Sequence, residues 1–182
     1  MNVTMVVSFL ILLLVLVFNY AQAQSNTDYA KSFYIYGGGG PGGKSYAGML
    51  EANIQVSTKG MLSIGTTGAS DVVLILVPEN SVSVNSTYVG FGRIEKGDMG
   101  FFRWSAGISF SHVERTGNYL SLLGIDNNPS KKDVVGIHLE VQCLAAKGIA
   151  GIGITPFVDI NSEFTYGGLT IGIALGKVHY RK

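Results

Sequence analysis

The residues best suited to chemistry gather in two places. In "GISFSHVERT", Ser109, Ser111, His112 and Glu114 bring hydroxyl, imidazole and carboxylate groups close together in the chain. These are the parts of a serine hydrolase, which needs nucleophile, base and orienting acid in hydrogen-bond contact. The stretch alternates as a strand, however, and neighbouring strand residues point to opposite faces. Ser111 and His112 therefore cannot work on each other, and the plainer reading is a strand running out to a polar rim. The second place is spread along the chain: Glu51, Arg103, His138, Glu140 and Gln142. If these five share a face, they form either a polar path for protons or small ions or a self-satisfying ion cluster. An unpaired buried charge is very costly, which favours the cluster, with Arg103 paired to Glu140.

Other candidates reduce to structure. No group of residues has metal-ligand spacing, so neither metal nor cofactor is expected, and no catalytic residue is assigned. The glycines of "GGGGPGG" (37–43) would suit a phosphate cradle, but no lysine-threonine signature or helix follows, and a flexible loop tip is expected. Asn85, Ser86 and Thr87 fit an N-glycosylation sequon that matters only in a eukaryote. Cys143 is the single cysteine. It cannot form an intrachain disulfide and reads as an apolar outward side chain. His179, Tyr180, Arg181 and Lys182 suit a membrane–water rim.

Alternation dominates the elements that would carry these groups. Strands are expected at 32–37, 46–57, 61–68, 87–94, 100–113, 134–145, 149–160 and 165–180. In the fifth, Phe102, Trp104, Ala106, Ile108 and Phe110 oppose Arg103, Ser105, Gly107, Ser109 and Ser111. In the sixth, Val135, Ile137, Leu139, Val141 and Cys143 oppose Gly136, His138, Glu140 and Gln142. The last sets Leu169, Ile171, Ile173 and Leu175 against Gly168, Thr170, Gly172, Ala174 and Gly176. "TKG", "EKGDM" and "AKG" are short turns. They alternate with longer connections at 38–45, 69–86, 114–133 and 161–165. Eight strands joined in this way make an all-β, antiparallel up-and-down barrel with short turns and both termini at one rim. The run "DVVLILVP" (71–78) fits poorly in a loop. It would either extend the third strand, pack as a loop hairpin or alter the strand count.

Composition narrows the setting. The chain has 182 residues, 47% hydrophobic and 14% charged, with a net charge of +1. The charged share is about half that of an ordinary soluble domain, and nothing points to nucleic acid, which calls for a basic patch. Residues 1–23 read as a cleaved signal peptide with an apolar centre from Met5 to Phe18 and small residues at Ala21 and Ala23. Residues 24–182 are then a single barrel domain.

The two faces decide between water and lipid. A soluble barrel would point its large residues inward and carry many charges outside. Only Glu51, Arg103 and Glu140 occupy the middle of the polar faces, too few for a solvated exterior. The reverse assignment fits: the large residues touch hydrocarbon, and small and polar side chains fill the narrow interior of a transmembrane barrel. Phe102, Trp104, Ile108, Phe110, Ile137, Leu139, Val141, Ile152, Ile154, Leu169, Ile171, Ile173 and Leu175 are expected to face lipid. Glu51, Arg103, His138, Glu140 and Gln142 are expected inside.

The stretch from Gly136 to Val178 also resembles the C-terminal half of small outer-membrane β-barrel proteins common in Bacteroidetes, eight-stranded like OmpX and OmpA. The parallels are a "GIPLE"-type strand at Gly136–Glu140, a "GIG" strand at Gly151–Ile154, an "N-x-N"-like loop at Asp159–Asn161 and a closing "GK" at Gly176–Lys177. "YVGFGRIEKGDMGFFRWSAGISFSH" matches more loosely. The pattern departs at His138, where the family has proline, and in lacking a terminal aromatic residue. The resemblance implies a bacterial outer-membrane location and no activity.

The resulting expectation is a surface or structural outer-membrane protein with periplasmic termini and extracellular long loops. Lipid, lipopolysaccharide and the barrel-assembly machinery would be its partners. The alternatives are a soluble, exported lipocalin-like barrel binding an apolar ligand, an outer-membrane lipid hydrolase, and a porin-like channel for small solutes.

Overall fold

A computed structural model describes residues 32–42, 45–70, 81–97, 99–116, 119–121, 124–126 and 130–177. The strands are β1 (Phe33–Gly42), β2 (Ser45–Gln55), β3 (Gly60–Ser70), β4 (Ser81–Lys96) and β5 (Gly100–Thr116), then β6 (Tyr119–Ser121), β7 (Gly124–Asp126), β8 (Ser130–Lys147), β9 (Ala150–Asn161) and β10 (Tyr166–Lys177). Eight of them close into one antiparallel barrel, while β6 and β7 pair as a separate hairpin between β5 and β8. Each barrel strand pairs with the next barrel strand in the chain. The last returns to the first, from Phe33↔Lys177 to Gly39↔Ile171. Closure leaves no sheet edge along the wall, so backbone donors and acceptors are satisfied within the sheet.

Local chemistry explains the connections. In the β2–β3 turn the Gln55 side-chain amide donates to the carbonyls of Ser57 and Thr58, each at 2.9 Å. The Ser57 hydroxyl accepts from the Gly60 N–H at 2.8 Å. The β8–β9 turn places Gly148 at a φ of 69°, in the left-handed region that glycine enters without a Cβ penalty. Between β9 and β10, Asn161 Oδ1 accepts from the backbone N–H groups of Glu163 and Phe164 at 3.1 and 2.8 Å, an Asx-type turn.

Several boundaries differ from the sequence expectation. β4 begins at Ser81, β5 runs to Thr116 and β8 starts at Ser130, so much of the expected loops 69–86 and 114–133 is strand. The outward positions of these extensions are polar, as at Asn85, His112 and Asp133, so the large apolar outer face that marks a lipid-crossing strand does not reach them. Backbone pairing carries them instead, from Ser81↔Thr116 to Ser86↔Ser111 and from His112↔Asp133 to Arg115↔Ser130. The glycine stretch expected as a loop tip is strand through Gly42, because Gly38 to Gly42 pair in register with Met49 to Ser45. The signal segment 1–23, the apolar run 71–78 and residues 179–182 lie outside the described residues.

The faces segregate cleanly. Ile108, Ile152, Ile173 and Leu175 point outward and are 58–66% exposed. The interior is closed by apolar side chains near both ends. Tyr34, Met61, Ile94, Phe101 and Leu144 lie toward the short turns, and Ala47, Met49, Val84 and Val113 toward the loops. A predominantly polar layer lies between them.

Candidate functional site

The interior expected to hold small residues also holds large aromatic ones: Tyr34, Tyr36, Tyr88, Phe157 and Tyr166 are all buried. Glycines make room for them. A Cβ on Gly153 would come within 3.3 Å of the Tyr36 ring, and one on Gly65 within 2.7 Å of the Tyr88 hydroxyl. Small residues on some strands are thus the sockets for rings on others. The expectation of an interior filled by small and polar side chains is corrected on this point.

At the centre of the polar layer stands Arg103, which is fully buried. Its alternation on β5 aims it inward, and its guanidinium meets two carboxylates. Nη2 donates to Glu51 Oε2 and Oε1 at 2.8 and 2.9 Å and lies 2.6 Å from Glu140 Oε1. Nη1 donates to Asn53 Oδ1 and Ser63 Oγ. The expected Arg103–Glu140 pairing is therefore half of a clamp whose other half comes from Glu51 on β2. Ser105 donates to Glu140 Oε1 at 2.6 Å.

His138 sits one layer further toward the loops. Its ring stacks on Tyr88 with centroids 3.7 Å apart and planes 14° from parallel. Nε2 lies 3.6 Å from Glu140 Oε2 and Nδ1 3.4 Å from Asp159 Oδ2, close enough for electrostatic contact but outside hydrogen-bond geometry. Asp159 Oδ1 accepts from Ser109 at 2.9 Å and Ser111 at 3.4 Å. Ser111 continues to Ser86 at 2.6 Å, and Tyr166 bridges Ser86 and Thr67 at 2.7 Å each. On the other side Gln142 accepts from the Tyr34 hydroxyl at 2.6 Å and donates to Thr155 at 3.1 Å.

Gln142 is buried with partners of its own, Tyr34 and Thr155, whereas Glu51, Arg103, His138 and Glu140 are brought into one buried cluster. Asp159, Asn53, Ser63 and Tyr88 belong to it as well, and sequence reasoning left them out. Asp159 shares its inward parity with Gly151, Gly153 and Thr155 on β9, and that alternation was the available signal. Three carboxylates, Glu51, Glu140 and Asp159, face two basic groups, Arg103 and His138, so acidic groups outnumber basic ones in the cluster. No group of three or more potential metal ligands converges among the described residues.

The hydrolase constellation is taken apart. Ser111 is buried against Ser86, whereas His112 is outward, with Nδ1 2.7 Å from Asp133 Oδ1. Glu114 pairs with Lys131 at 3.1 Å. On the outer face Phe102, Trp104, Phe110, Ile137, Leu139, Ile154, Leu169 and Ile171 are all exposed, and Val141 is half-buried there. Cys143 is also exposed.

No protein-family model and no curated protein sequence matches the chain. Solved structures match in fold. Neisserial surface protein A (NspA) superposes with a TM-score of 0.58 at 8% identity, covering 80% of this chain and 95% of that one. Ail, the attachment invasion locus protein of Yersinia pestis, gives 0.55 at 6% identity, covering 80% and 97%. The N-terminal β-barrel domain of Pseudomonas aeruginosa OprF gives 0.53 at 10% identity, covering 80% and 96%. The chain therefore has the eight-stranded antiparallel barrel fold of these proteins.

Proposed function

We propose that the chain is a small integral outer-membrane barrel with a structural and surface-interaction role and without catalysis. The observation that carries this reading is the outer face. A continuous set of Ile, Leu, Phe and Trp side chains is exposed around the wall, while Glu51, Arg103, Glu140 and Asp159 are buried inside. In water such a surface far exceeds the apolar patches that soluble monomers tolerate; in hydrocarbon it is the matching solvent. Strand lengths agree: β1, β2, β3, β9 and β10 have 10 to 12 residues, and a tilted strand needs about 9–11 to cross. A soluble lipocalin-like binder would turn those side chains inward around a cavity, which is the opposite arrangement.

The surface role rests on a protruding blade. β4, β5 and β8 have 16, 17 and 18 residues, and β5 and β8 pair with each other beyond the reach of β9 at the loop end. β8 pairs with β9 only from Gly136 onward, so its stretch 130–135 stands above that partner. Ion pairs Lys131–Glu114 and Lys132–Glu163 lace the blade, and Arg115 donates to the Glu163 carbonyl. We assign this end to the cell exterior, facing lipopolysaccharide or a protein partner. The termini and short turns are assigned to the periplasm, with insertion by the barrel-assembly machinery. The motifs shared with the Bacteroidetes barrels support an origin of that kind.

The test is to express the full chain in a bacterial host and compare boiled and unboiled outer-membrane extracts on a denaturing gel. Intact cells carrying Lys131→Cys in a Cys143→Ala background are then treated with an impermeant thiol reagent. A mobility shift on boiling together with surface labelling supports the reading. A soluble periplasmic protein with no shift overturns it.

A further inference from the structure

On the outer wall near the short turns, β8 presents small side chains between large ones. Cross-strand rows run Phe102–Cys143–Ile154 and Gly100–Ala145–Ile152. Cys143, Ala145 and Gly100 therefore floor a trough that Phe102 walls on one side and Ile152 and Ile154 on the other. The structure has a groove of about 730 Å³ at this place, with Met99 at its turn end. Two inter-strand spacings, about 9–10 Å, separate the walls, a width suited to one hydrocarbon chain.

The next outward residue along β8 after Ala145 is Lys147. It is exposed and has no salt-bridge or side-chain hydrogen-bond partner among the described residues. Cations at the opposite end differ: Lys131 and Lys132 are each held by a glutamate. Within the short-turn rim, Glu95 also lines the groove, but its carboxylate is engaged by Arg93 at 2.8 Å and Lys59 at 3.5 Å. The apolar trough thus runs along β8 toward the uncommitted ammonium of Lys147, while the carboxylate in its lining is already paired with two cations.

We propose that this trough is a phospholipid site. One acyl chain lies along β8 over Cys143 and Ala145, and Lys147 takes the phosphate of an anionic headgroup from the adjoining leaflet. The proposal rests on the membrane reading above, since it requires the outer wall to meet lipid. It gives the short-turn rim a preference among lipids that an undifferentiated greasy belt would lack.

The single cysteine is a built-in reporter, because Cys143 lies on the trough floor. The purified barrel in neutral detergent micelles is titrated with phosphatidylglycerol or phosphatidylcholine, and the rate of Cys143 alkylation by N-ethylmaleimide is followed. Phosphatidylglycerol is expected to reach half-protection at about fivefold lower mole fraction, the advantage of one lysine near an anionic headgroup. Lys147→Gln should bring the two lipids level. Ala145→Leu, which fills the trough from outside the barrel core, should abolish protection by both. Equal protection by both lipids in the wild-type protein, or none by either, overturns the site. The boiling shift is checked in every preparation. An intact shift with no lipid preference sinks only the lipid site, whereas a missing shift with detergent-free solubility sinks the membrane reading itself.

Discussion

Arg103 and Glu51, from non-adjacent strands of the barrel, share two hydrogen bonds of 2.8 and 2.9 Å. Neither side chain has any exposed surface. The pair spans the interior rather than a neighbouring-strand gap, since β2 and β5 are separated by β3 and β4 in the sheet. Such a contact ties together wall strands that are not neighbours and requires the β2–β5 sheet to curl around the interior.

Removing the cation alone should therefore be severe. Arg103→Met leaves Glu51 and Glu140 buried without their partner, which costs about 3–5 kcal/mol. Urea titration of the barrel in lipid vesicles, read by the unboiled gel band, measures it. The triple variant Arg103→Met, Glu51→Gln, Glu140→Gln removes the charges together and should recover most of the loss. If the triple variant is no more stable than the single one, the clamp is not the cause.

The outer wall offers a test of its solvent. Ile108 lies mid-strand on β5 and is 59% exposed. Against hydrocarbon, Ile108→Arg should cost about 2–4 kcal/mol, as charged residues do near the midplane of a membrane barrel. Against water it would cost almost nothing. A vesicle refolding titration that shows no loss would contradict lipid contact at this position.

Glycines allow close approach at the seam between the first and last strands, and Gly172 is one of them. A Cβ at Gly172 would lie 2.2 Å from the Gly37 carbonyl oxygen and 2.6 Å from the Gly38 Cα, both backbone atoms that cannot swing away. Gly172→Val is expected to destabilise the barrel by at least the roughly 1–3 kcal/mol typical of overpacking. The heat-modifiable band should weaken or disappear, while Thr66→Val, an exposed position on β3, leaves it unchanged.

At the loop end the Lys132–Glu163 pair should respond to acid. The Lys132 ammonium donating to Glu163 holds that carboxyl below its ordinary range, with the Lys132 charge acting in the same direction. A carboxyl depressed in the folded state stabilises above its unfolded titration and loses that contribution as pH falls through the folded one. The tie between β8 and the 161–165 loop is therefore expected to hold at neutral pH and loosen in acid, at pH values below the normal carboxylate range. Amide exchange at Glu163 and Phe164, followed from pH 7 downward after correction for intrinsic rates, checks this. Lys132→Gln should move the loosening to higher pH.

How much of this was legible beforehand differs from residue to residue. Arg103, Glu140 and His138 could be placed on the inner face because strand alternation leaves only two choices and their apolar neighbours occupied the other. Asp159 obeys the same parity, yet its position beside a loop motif hid it. The extension of β4, β5 and β8 was missed because its outward positions are serines, Asn85 and charged residues, and its few inward valines, Val82, Val84 and Val113, are too short a run to mark a strand. The glycine-rich start of the chain misled for a related reason: glycine signals freedom in isolation, but here it signals the close approach of neighbouring strands.

By itself the amino-acid sequence determined the eight-stranded barrel, the inward and outward faces of its strands and the unsuitability of the outer face for water. These follow from a period of two and from side-chain chemistry, both local properties. Only the tertiary structure decided which residues meet across the interior. Glu51 joins Arg103, and Tyr36 fills the space left by Gly153, because barrel closure and register bring together positions distant in the chain, and neither relation is encoded in any single stretch of it.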